Sequence, residues 1–90
     1  MINVGSKHQL PDAVLDYTLD WSAWLEASDT ISASDWTLPE GLRMTDSTHG
    51  TTTATVWLTG GTSGEKYIVV NRVTTALGRT DSRAFTLVID

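Results

Sequence analysis

EKYIVVNRVTTALGRTDSRAFTLVID, residues 65–90, decides the fold class. From Tyr67 onward every second residue (Tyr67, Val69, Asn71, Val73) falls on one face of an extended chain, and Ile68, Val70 and Arg72 fall on the other. This two-residue period belongs to a strand, whereas a helix would repeat its apolar positions every 3.6 residues. Phe85, Leu87 and Ile89 alternate in the same way against Ala84, Thr86 and Val88. Gly78 breaks the first run, and the polar link TALGRTD joins the two, so the pair reads as an antiparallel hairpin.

The same reading extends upstream. TTTATVWLTGG (51–61) is dense in β-branched residues and predicts a strand over Thr51–Thr59, closed by Gly60 and Gly61. A short strand over Leu42–Thr45 lies between two turn signals, PEGL and DSTHG. TISASDWTL (30–38) begins another, and in LDYTLDW (15–21) the residues Leu15, Tyr17, Leu19 and Trp21 alternate with Asp16, Thr18 and Asp20. MINVGSKHQLP (1–11) has no sustained period and contains Gly5 and Pro11; it is expected to be a flexible N-terminal arm preceding a domain over 12–90. Short strands with turn signals between them, and no window with a helical stripe or a crossover segment, predict an all-β antiparallel sandwich of about seven strands, with a small barrel as the competing architecture.

Composition narrows the function. Ninety residues hold one core. With no cysteine, a disulfide framework, a thiolate zinc site and a cysteine nucleophile are all excluded. A net charge of -5, with six scattered basic residues, argues against nucleic acid, which requires clustered cations to displace counterions. No apolar run reaches the roughly 18 residues of a membrane span, and residues 1–11 lack the pattern of a secretory signal, so neither a membrane nor export is expected.

No residue pattern points to chemistry. His8 and His49 lie far apart in sequence, the spacing of Asp12, Asp16 and Asp20 suits a solvated face better than a calcium loop, and no serine has a nucleophile context; no enzyme, metal or cofactor is expected. Binding is the better-supported class. Four tryptophans exceed the usual need of so small a core, which makes Trp57, Trp24 and Trp36 candidate contact residues. Trp57 is the clearest, since Val56 and Leu58 occupy the opposite face of its strand. Arg79, Asp81 and Arg83 in GRTDSR are expected to form an ion-paired rim on the last hairpin, with Arg79 and Arg83 available for binding.

Gly64-Glu65-Lys66-Tyr67 at the start of the penultimate strand resembles the tyrosine corner of immunoglobulin-like sandwiches, in which the hydroxyl bonds back to the chain; Asn71 follows on the same face. A wider resemblance covers about residues 11–88. It rests on Asp16-Tyr17 through Asp20-Trp21, Trp24-Leu25, Asp29 with Ile31, Ser34 with Trp36, Trp57-Leu58 with Gly60-Gly61, Tyr67 through Asn71-Arg72, Thr74-Thr75 and Gly78-Arg79-Thr80. In these the chain resembles the phage fibre-tail adaptor proteins encoded in the structural modules of tailed phages and prophages. The resemblance implies an immunoglobulin-like, non-enzymatic structural or adaptor protein that binds other virion or tail proteins, and a location in the virion or the bacterial cytoplasm. The alternative class is a carbohydrate or host-surface binding module, with exposed tryptophan stacking on sugar rings.

Overall fold

The computed structural model describes residues 1–90 and contains seven strands: β1 (Ile2–Gln9), β2 (Leu15–Asp20), β3 (Ile31–Thr37), β4 (Leu42–His49), β5 (Thr53–Gly60), β6 (Lys66–Thr75) and β7 (Thr80–Ile89). They form a four-stranded sheet in the order β1-β7-β6-β3 and a three-stranded sheet in the order β2-β5-β4. The hairpin anticipated at the C-terminal end is β6–β7, with Tyr67 opposite Leu87, Val69 opposite Phe85 and Asn71 opposite Arg83. Across β2–β5, Tyr17 faces Val56 and Leu19 faces Ala54.

Alternation therefore turns one set of side chains from each sheet inward. Val56 and Leu58 from the smaller sheet meet Val69, Val73, Phe85, Leu87 and Ile89 from the larger, and Trp21 is wholly enclosed between them. Each large apolar side chain buried in this way contributes about 1.5–3 kcal/mol. The orders β2-β5-β4 and β3-β6-β7 are those of the B-E-D and C-F-G strands of an immunoglobulin constant-type sandwich, and the architecture is compatible with that fold.

Two expectations are corrected. Residues 2–9, read as an arm with little secondary structure, form strand β1, which pairs with β7 in parallel and is the one parallel pair in the molecule. β1 escaped the pattern reading because only Gln9 in it is buried; a strand wet on both faces has no apolar alternation to display. Its register also slips between Asn3 and Ser6, where Gly5 takes a φ of 131°. β4 likewise runs to His49 and not to Thr45, because an edge strand exposed from Arg43 onward leaves the polar DSTH free to be strand instead of turn.

Candidate functional site

The outer face of the three-stranded sheet is built around Trp57. β5 is the middle strand, so Val56 and Leu58 fill the core while Trp57 stands on the solvent side, 37% exposed. Its lateral neighbours are Asp16 in β2 and Asp46 in β4, giving a row of carboxylate, indole and carboxylate across the sheet. The next row along the same face aligns Thr18, Thr55 and Thr48, with the Thr18 and Thr55 hydroxyls 2.8 Å apart. A rigid middle strand thus presents one large ring flanked by polar groups, the composition of an interface anchor.

The other tryptophans pack closer to the core. Trp21 is fully buried and lies edge-on to Trp24 at 5.1 Å between centroids; Trp36, half-buried, lies edge-on to Phe85 at 6.3 Å, with its Nε1 buried and unpartnered. Arg79 stacks on the Trp24 ring at 4.2 Å and donates from Nη1 to the Trp24 carbonyl at 2.9 Å. Arg83 stacks on Trp21 at 4.3 Å. The expected ion-paired rim with Asp81 does not form. Arg83 lies opposite inward-facing Asn71, so its guanidinium reaches under the sheet; Arg79 meets Glu26 at 3.7 Å, and Asp81 accepts from the Ser82 N–H.

Three polar nodes hold this framework. Tyr67 Oη accepts from the Thr62 N–H at 2.8 Å, and the ring packs into a corner where Gly61 leaves no room for a side chain. A Cβ on Gly61, at a φ of +90°, would stand 2.7 Å from Ile89 Cγ1. Gly64, also at positive φ, donates its N–H to the Ile89 carbonyl at 2.7 Å. Asn71 is completely buried and fully satisfied: Oδ1 accepts from Trp21 Nε1 at 3.0 Å, while Nδ2 donates to Ser34 Oγ at 2.9 Å and to the Asp35 carbonyl at 3.0 Å.

Gln9 is the third node. Its Nε2 donates to the carbonyls of Ala13 and Leu58, at 3.0 and 2.9 Å, and its Oε1 accepts from the Tyr17 hydroxyl at 2.5 Å. Burial, and then the Asp16 charge, raise the Tyr17 pKa. Gln9 thereby ties β1 of one sheet to β2 and β5 of the other. Sequence reasoning missed it because a glutamine carries no pattern of its own. It missed Asp29 for the same reason: this buried carboxylate accepts from the Thr30 and Leu77 N–H groups at 2.9 and 3.1 Å and so fastens the β2–β3 connection to the β6–β7 turn. Burial opposes ionisation of Asp29, but the Thr75 hydroxyl, these N–H groups and nearby Arg79 outweigh it and hold its carboxyl below the usual range. The carboxyl of Asp20 is lowered too, chiefly by the Ser22 backbone N–H and hydroxyl and further by Arg83.

The histidines stand apart from these nodes. His8 Nδ1 lies 3.0 Å from Asp90 Oδ1, His49 Nδ1 lies 3.0 Å from the Gly50 carbonyl, and no three His, Asp or Glu side chains converge as metal ligands would. No helix is long and apolar enough to cross a membrane.

Among known proteins, no curated sequence matches the chain. Residues 9–88, from the buried Gln9 to Val88 near the end of β7, match the family described as podophage GP4 fiber-tail adaptor protein gp77. The match spans every strand but β1, and with it the Trp57 face, the corner at Tyr67 and the Asn71 node. The chain belongs to the podophage fibre-tail adaptor family and is a structural phage protein.

Proposed function

We propose that this chain is a non-catalytic adaptor that joins tail and fibre proteins of a podophage particle, with the outer face of the β2-β5-β4 sheet as its principal docking surface. The observation that carries the surface is Trp57: a large ring fixed on a middle strand, over one-third exposed, between two carboxylates. Tryptophans so placed dominate binding energy, because they bury much apolar area at little cost in side-chain entropy. Membership of the adaptor family supplies the class of partner, other virion proteins. The net charge of -5 favours protein over nucleic-acid partners.

Co-expression with the fibre and tail proteins of the same phage, followed by affinity capture, tests the reading. The wild-type chain is expected to retain at least one of them, and Trp57→Ala to weaken that capture by about 30-fold, the equivalent of a hot-spot loss of ~2 kcal/mol. A folded wild-type chain that captures none of them sinks the adaptor reading. The row Asp16–Trp57–Asp46 also has the makings of a sugar platform, an indole to stack on a ring and carboxylates to accept from hydroxyls. A glycan array showing specific binding that Trp57→Ala abolishes, with no tail protein captured, favours that second reading instead.

A further inference from the structure

β1 and β2 are edge strands of opposite sheets, bridged at one end by the Gln9–Tyr17 bond. A cleft of about 200 Å³ lies on their flank, lined by Val4, Lys7, Thr18, Leu19, Asp20 and Arg83. On the opposite flank β3 packs against β4.

Charge distinguishes this cleft from the rest of the surface. The chain carries eleven acidic and six basic residues, yet two of the six bases meet here and neither forms an ion pair. The one anion in the lining, Asp20, already accepts from the Ser22 N–H at 2.9 Å. Arg83 has a single, long hydrogen bond, from Nη1 to the Asp20 carbonyl at 3.4 Å, and its Nε is buried without a partner. Stacking on Trp21 fixes the guanidinium plane, so the side chain is already ordered for a ligand. A guanidinium held in this way, beside an ammonium and against the apolar Val4 and Leu19, suits a carboxylate on a short apolar stem. The free edges of β1 and β2 bordering the cleft offer unpaired backbone groups to an extended chain.

We propose that the β1–β2 cleft receives an acidic side chain carried on an extended segment of a partner virion protein, its carboxylate seated between Lys7 and Arg83. The proposal rests on the adaptor reading and adds to the Trp57 face a second, charge-selective contact. It also assigns a role to β1: by lying along β7, this strand brings Lys7 to the same opening as Arg83.

The test has two arms. In the first, the ¹⁵N-labelled chain is titrated with the capped peptide Ac-VTDTV-amide and with its neutral counterpart Ac-VTNTV-amide. The acidic peptide is expected to shift the amide signals of Lys7, Leu19, Asp20 and Arg83 and the Arg83 Nε–H signal, and the neutral peptide to leave them in place. Equal shifts from both peptides, shifts reproduced by inorganic phosphate, or no shift at all overturn the proposal. In the second, Lys7→Glu is used in the capture experiment, because Lys7 is exposed and its replacement leaves the core untouched, whereas Arg83→Gln removes a stack on Trp21. Capture of the tail partner is expected to fall about tenfold or more, as when a charge-assisted hydrogen bond is lost. Undiminished capture by Lys7→Glu overturns the cleft while the adaptor reading stands; a wild-type chain that captures nothing overturns the adaptor reading itself.

Discussion

Asn71 and Tyr67 lie on the same face of β6 and both make polar contacts, yet their surroundings give those contacts different weights. The Tyr67 hydroxyl meets one N–H, that of Thr62, near the surface, where water can replace it. Tyr67→Phe is therefore expected to cost about 1 kcal/mol. Asn71 is wholly shielded from solvent, and Asn71→Leu strands the Trp21 Nε1–H, the Asp35 carbonyl and the Ser34 hydroxyl together, for a loss of about 3 kcal/mol. Urea denaturation followed by tryptophan fluorescence separates the two; equal losses contradict the ranking, and a Tyr67→Phe effect indistinguishable from zero argues against a corner role for that hydroxyl. The alternation of β6 made the shared face of these residues legible from sequence. Which of them is sealed was not, because burial depends on Trp21 and Ser34, 50 and 37 residues away in the chain.

Strands were legible in proportion to how unequally they are wetted. β6 and β7 bury one face each and announce themselves by period, and β5 did so by its β-branched run. β1 buries only its last residue and β4 only its first, so tertiary pairing and not local pattern makes them strands, and the sequence pattern alone predicts an arm for β1 and half the length for β4. The same inequality predicts where the sheet is weak. β1 is held by its ladder to β7, by the Asn3–Thr86 side-chain bond at 3.1 Å and above all by the Gln9 node. Hydrogen exchange is expected to be faster for the amides of residues 2–8 than for those of β6. Gln9→Ala, which leaves the Tyr17 hydroxyl and the Leu58 carbonyl unpaired, is expected to cost about 2 kcal/mol and to bring β1 exchange close to that of an unstructured peptide. Equal protection of β1 and β6 in the wild-type chain would show that the ladder alone secures the strand.

At the scale of the whole molecule, the end of the sandwich at the β6–β7 turn is fastened by a group that titrates. Asp29 closes the end where the β2–β3 connection meets the β6–β7 turn, accepting from the backbone of both segments. Its folded carboxyl ionises below the ordinary range, as does that of Asp20, so at low pH the unfolded chain takes up protons more readily than the folded one. The stabilisation that these groups provide is complete above the unfolded value of about 3.9 and is lost as pH falls through the lower folded value. The chain is accordingly expected to keep a constant urea midpoint from pH 7 down to about 5 and to lose stability steeply below about 4. Asp29→Asn keeps an oxygen that can accept from Thr30 and Leu77 but has no charge to lose; it is expected to be less stable than the wild type at pH 7 and to show a shallower decline in acid. Parallel declines for the two proteins would place the acid sensitivity elsewhere among the carboxylates and leave Asp29 a purely structural acceptor.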